Sequence, residues 1–255
     1  MFSYEEYRKI IEIVKESGKG ANFKEAKKMD QFIIMRHDVE FSVDRAFELS
    51  QVEKSMGFTS TYFFQWTNNS YNILSKRNKD IITKMHKDGH AIGLHFATNG
   101  LTDIREIQRR IEHEIFAWNM MLEFNVDTFS VHRPSKEVLS ADIRVPDIIN
   151  AYQDDFFTFA DNVTEDTPVK VKYISDAQHH WNYGTPDKET LLGYDKVQIL
   201  THPYSWTEYG YDNLHNFQTL IQERTDELIN TIDGECKHFA GIKKEIQREY
   251  AVYRK

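Results

Sequence analysis

Two hydrophobic periods alternate along the chain. Short apolar runs bounded by polar or glycine residues read as buried strands, and longer amphipathic stretches between them read as helices. The clearest strand is Phe32-Ile33-Ile34-Met35, which stops at Arg36-His37-Asp38-Val39-Glu40. Further strands are predicted at 59–64, 90–95, 127–132, 170–175 and 197–200. Ser3 with Glu6 forms a capping box for a helix to about Glu16, stopped by Gly18 and Gly20. Ser42 caps a helix over Val43 to Met56, with Ala46, Phe47, Leu49 and Val52 inward and Gly57 as its stop. Ser75 precedes a helix ending at Gly89, and Thr102 caps one from Asp103 to about Phe124. Short helices are expected within Pro146 to Tyr152 and over 186–193, and the chain is helical in more than one piece from about Asn213 onward.

Alternating strand and helix imply a parallel sheet or barrel. Five of the strands finish on ionisable groups: Asp38 and Glu40, His95, His132 and Arg133, Asp176, and His202. In a parallel barrel the strand C-termini share one rim, so groups scattered through the sequence converge there. The β period of two places Asp38 and Glu40 on one face and His37 on the other. Two carboxylates aimed at one spot require a cation or a shared proton. His90 opens its strand and is expected at the opposite end, in a structural role.

The 255 residues suffice for one large α/β barrel or two small domains. With no repeat, low-complexity tract or Pro/Ser-rich linker, the expectation is a single domain over 1–255, with a helical lead-in over 1–30 and a helical C-terminal segment over about 212–255. A net charge of −8 argues against nucleic acid as a partner. The lone Cys236 excludes an internal disulfide and any multi-cysteine zinc site. The acidic, amphipathic start is not a signal peptide, and no apolar stretch is long enough to span a bilayer, so the expectation is a soluble, cytoplasmic protein. A homo-oligomer is compatible with the sequence, with the C-terminal helical segment as the surface for a partner subunit.

Carboxylate plus imidazole is a ligand set for zinc and similar divalent metals, which acidify bound water and polarise a carbonyl. A second carboxylate can take a proton from that water, and an imidazole opposite can protonate a leaving group. An arginine holds such a base ionised, and an aspartate fixes a histidine tautomer. Together these parts describe metal-assisted hydrolysis of an amide or ester.

Arg36-His37-Asp38-Val39-Glu40, Gly89-His90-Ala91-Ile92-Gly93-Leu94-His95, Phe129-Ser130-Val131-His132-Arg133-Pro134, Tyr173-Ile174-Ser175-Asp176 with Trp181, and Leu200-Thr201-His202-Pro203 occur in that order. Over about residues 30–206 they resemble the successive motifs of the polysaccharide deacetylase family, carbohydrate esterase family 4, in its intracellular branch with an Arg-His-Asp-Val-Asp opening. The resemblance implies a distorted (β/α)7-type barrel. It assigns Asp38 as general base, Glu40 as the metal carboxylate, His95 as the first metal histidine, Arg133 as the tether of the base and His202 as general acid. Asp176 and Trp181 line the site and orient that acid.

Two positions depart from the family pattern. Glu40 stands where aspartate is usual, moving the carboxylate outward by roughly 1.5 Å. Asn99 stands where the second metal histidine normally follows the first. Either His132 on the neighbouring strand completes the set, or metal binding is weak or absent. Trp181, Tyr204 and Trp206 fall in loops of the rim, where rings stack on sugars or build interfaces. The function implied is a hydrolase removing an acetyl or formyl group from an N-acylated sugar or related small molecule, with a divalent metal, zinc first among them. A biosynthetic intermediate, such as a surface-glycan precursor, is the expected setting. The alternatives are a metal-independent amidohydrolase acting on a cyclic amide, and a degenerate barrel that binds glycan or a protein partner.

Overall fold

A computed structural model describes residues 2–159 and 169–252, which fall into two compact units, Met1–Gly210 and Tyr211–Lys255. In the first unit the strands are β1 (Gly20–Ala21), β2 (Phe32–Val39), β3 (Thr61–Phe64), β4 (Ala91–Ala97), β5 (Thr128–His132), β6 (Ile149–Asn150), β7 (Lys172–Ser175) and β8 (Lys196–Thr201). They form one sheet in the order β6-β5-β4-β3-β2-β8-β7, with every pairing parallel and β1 added to the start of β2. Helices α1 (Tyr4–Ser17), α2 (Phe23–Ala26), α3 (Val43–Ser55), α4 (Lys76–Lys87), α5 (Ile104–Met121), α6 (Lys136–Ser140) and α7 (Lys188–Gly193) connect the strands. The sheet curls into a half-barrel, a distorted (β/α)7 arrangement as expected. Its edge strands β6 and β7 do not pair with each other. The chain after β6 bridges the interior instead, where Gln198 Nε2 donates to the carbonyls of Ala151 at 2.9 Å and Phe156 at 2.6 Å.

All eight residues of β2 are buried, so this strand is covered on both faces. Phe32 and Ile34 point inward with Phe23, Phe63 and Phe156, while Ile33 and Met35 pack outward on Tyr7, Ile11 and Leu49 of α1 and α3. The same alternation sends His37 outward. There a fully buried Glu53 accepts hydrogen bonds from the hydroxyls of Tyr7, Ser60 and Tyr62, each at 2.7 Å, with His37 Nε2 at 3.1 Å. His37 Nδ1 lies 2.5 Å from Thr201 Oγ1, and His90 stands 3.5 Å from the same Glu53. Both histidines thus serve the outer packing, as their strand positions implied. Close approach inside the barrel explains Gly93: a Cβ there would lie 2.5 Å from the Phe63 ring.

The capping box of α1, its Gly18 terminus at φ 68° and the Ser42 and Ser75 caps are present. Asp103 rather than Thr102 caps α5, which stops at Met121 because Leu122 turns extended. Pro146 to Tyr152 contains no helix: Ile149 and Asn150 pair with Thr128 and Phe129 as β6. Within the expected helical lead-in over 1–30, the two-residue strand β1 separates α1 from the short α2. In the second unit, α8 (Asn213–Glu235) and α9 (Lys243–Val252) are joined through a short turn, with Lys243 Nζ paired to Asp233 at 2.8 Å. Among the described residues, no helix is long and apolar enough to cross a membrane.

Candidate active site

Inward residues at the exit of β2 build the site. Asp38 is 2 % exposed, and taking a carboxylate out of water requires a partner. Arg36, two residues earlier on the same face, supplies one: its Nη2 lies 2.8 Å from Asp38 Oδ2. Arg36 is fixed in turn by Gln198 Oε1 at 2.9 Å and the Tyr152 hydroxyl at 2.8 Å. Burial pushes the Asp38 pKa up, but the Arg36 guanidinium, together with the His95 and His202 imidazoles, outweighs it and holds the carboxyl below its ordinary range.

The Ser130 hydroxyl of β5 donates to Asp38 Oδ1 at 3.2 Å, which leaves its oxygen to accept from His95 Nδ1 at 2.7 Å. These two bonds place the His95 proton on Nδ1 and leave Nε2 bare. Burial lowers the His95 pKa to about 4, so the ring is neutral at pH 7. Nε2 faces His132 Nδ1 at 3.1 Å, and His132 Nδ1 lies 3.2 Å from Glu40 Oε1. One ligand atom from each of Glu40, His95 and His132 falls within 4.8 Å of the others. Two donors bound tetrahedrally at about 2.05 Å stand about 3.3 Å apart, so these separations fit a zinc-sized ion. Burial opposes the Glu40 charge, and the hydrogen bond to His132 together with the nearby His202 and His95 rings more than compensates, keeping the carboxyl below its usual range.

His202, on the exit of β8, completes the rim. Its Nδ1 lies 2.6 Å from Asp176 Oδ1, and its backbone N–H reaches both Asp176 oxygens at 3.0 Å. Burial lowers the imidazole pKa, but the Asp176 carboxylate overrides this and lifts it to about 9. The ring is therefore protonated at pH 7. With Nδ1–H held by Asp176, the second proton sits on Nε2, 4.0 Å from Glu40 Oε1.

The structure thus brings together Asp38, Glu40, His95, His132, Asp176 and His202, while Arg133, Trp181 and Trp206 are placed otherwise than their expected roles require. Arg133 is exposed in a left-handed conformation at φ 46°, and Arg36 holds Asp38 in its place. Trp206 is not an open stacking surface: it is 1 % exposed, and its Nε1 donates to Asp176 Oδ2 at 2.8 Å. It braces Asp176, the partner of His202, whereas Trp181, expected to line the site and orient that acid, is half-buried against Phe2 and Trp206 with centroids 5.8 and 6.0 Å away. Tyr204 is buried beside His202 at 6.0 Å between ring centroids, so it forms a wall of the site. Arg36 and Ser130 were within reach of sequence reasoning, since each lies two residues before a recognised site residue on the same strand face. Tyr152 and Gln198 gave no such signal.

No family model matches the chain, and no curated protein matches it. Among solved structures, a Streptococcus mutans CE4 esterase aligns at 13% identity over 84% of this chain and 91% of its own, with a TM-score of 0.46. The chitin deacetylase of the fungal pathogen Colletotrichum lindemuthianum aligns at 14% identity over 75% and 81%, with a TM-score of 0.42. A CE4 family pseudoenzyme from Bacillus anthracis aligns at 12% identity over 78% and 62%, with a TM-score of 0.43. Likenesses this remote leave the chemistry to be read from the site itself.

Proposed function

We propose that the chain is a hydrolase that removes an acyl group, acetyl or formyl, from the nitrogen of a sugar or related small molecule. One observation carries the reading: Asp38 and His202 both border the Glu40, His95 and His132 trio, at 3.7 Å from His95 and 4.0 Å from Glu40. Those three residues would hold a divalent ion such as zinc, which when bound would supply a Lewis acid for the acyl oxygen and acidify the attacking water.

Asp38, anionic through Arg36, takes the proton of that water as it adds to the acyl carbon. His202 stands protonated on the other side and gives its Nε2 proton to the departing amine. Asp176 and Trp206 keep the imidazole in the orientation for that transfer. The expected setting, a cytoplasmic step on a surface-glycan precursor, belongs to the same proposal.

Elemental analysis of the purified protein, beside a screen of N-acetyl and N-formyl sugars for amine release, tests it. The expected result is one equivalent of divalent metal and activity that a chelator removes and zinc restores. Activity that persists in chelator supports the metal-free route. Absence of amine release from every N-acyl compound by the metal-loaded protein would overturn the hydrolase reading in favour of a binding barrel.

A further inference from the structure

A groove of about 540 Å³ opens between the exit of β5 and β7, and no proposed catalytic group lies in it. Its walls are Tyr152, Phe157, Phe159, Val171, Tyr173 and Tyr183. Four of these rings form a continuous chain: Tyr152 meets Phe157 at 5.1 Å, Phe157 meets Tyr173 at 5.2 Å, and Tyr173 meets Tyr183 at 5.7 Å. The groove borders the site: Pro134, two residues after His132, is also among its walls, and the Tyr152 ring that lines it carries the hydroxyl bonded at 2.8 Å to Arg36, the partner of Asp38. Among the described residues its one charged wall residue is Lys172, whose ammonium lies over the Tyr194 ring at 5.5 Å. Thr158 Oγ1 already accepts from the Val171 N–H at 2.9 Å.

The described walls are mostly rings, and the Tyr152 hydroxyl, Lys172 and Thr158 among them are already engaged, which leaves few partners for the hydroxyls of a second sugar unit. Ring edges and faces favour a flat or aliphatic apolar group. We propose that the groove is a subsite for an apolar substituent, an aryl or short alkyl group, carried by the substrate beside its N-acyl group. The subsite rests on the reading of Asp38 as the base, since that is what makes the groove adjacent to the scissile bond. Tyr183, 66 % exposed at the lip, is its accessible wall and its natural probe.

The test compares N-acetylglucosamine with its phenyl glycoside on the metal-loaded full chain, by calorimetric binding and by amine release. The phenyl compound is expected to bind about tenfold or more tighter, from burial of the ring. Tyr183→Ser should remove most of that gain, and Tyr183→Phe should keep it. Equal binding of the two compounds, or a gain that Tyr183→Ser leaves intact, overturns the subsite. Tighter phenyl binding without amine release from either compound upholds the subsite and tells against the hydrolase reading. Equal amine release from both, with equal binding, does the reverse.

Discussion

Asp38 stays charged inside the barrel because Arg36 sits two residues before it on the same face of β2. Its lowered pKa gives stability that is present above the unfolded value near 3.9 and lost as pH falls through the lower folded value. Arg36→Met leaves that carboxylate buried and unpaired, and urea unfolding at pH 7 should show a loss of about 3–5 kcal/mol. His202 has the opposite sign. Its raised pKa stabilises the fold fully below about 6.5, and the contribution is lost as pH rises through about 9. If it is the acid, kcat/KM falls through that same pH, and Asp176→Asn pulls the alkaline limb down toward neutrality. An alkaline limb that Asp176→Asn does not move would exclude His202 as the titrating acid. Asp38→Asn is expected to lower kcat by about 10²–10⁴-fold while metal content is retained.

Element by element, β2 reads most clearly from sequence, because burial on both faces leaves an apolar run that only a strand can use at that length. Its outer face carries a prediction of its own. Glu53→Leu strands the hydroxyls of Tyr7, Ser60 and Tyr62 and the His37 ring in the interface of α1 and α3 with the sheet. Chemical denaturation should register a loss on the order of 3–5 kcal/mol, well above that of an ordinary surface substitution. β6 was illegible for the converse reason: two residues carry no period, and Ile149 is held by pairing with Thr128 rather than by local preference. The misplaced arginine has the same origin. Arg133 follows His132 and Arg36 precedes Asp38 by two; Arg36 lies within β2 and is buried, whereas Arg133 lies past the end of β5, left-handed and exposed.

At the scale of the molecule, Glu40, His95 and His132 come from three strand exits, so a bound ion would tie β2, β4 and β5 together. Zinc at about a hundredfold excess over its dissociation constant should therefore stabilise the fold by about 2.7 kcal/mol, seen as a rise in Tm. His132→Ala should abolish the rise; persistence of it in that variant would place the metal elsewhere. The sequence by itself determined the alternation of strand and helix, the strand exits that carry Asp38, His95, Asp176 and His202, and the face on which each strand points. Those follow from periods of two and 3.6, which are local properties of a chain in water. Only the tertiary structure decided that His132 completes the trio, that Arg36 holds Asp38, that Trp206 braces Asp176 and that aromatic rings floor a groove beside them. Each of those depends on which neighbours the curl of the sheet brings within about 3 Å, and hydrogen bonds across that distance leave no period in the sequence.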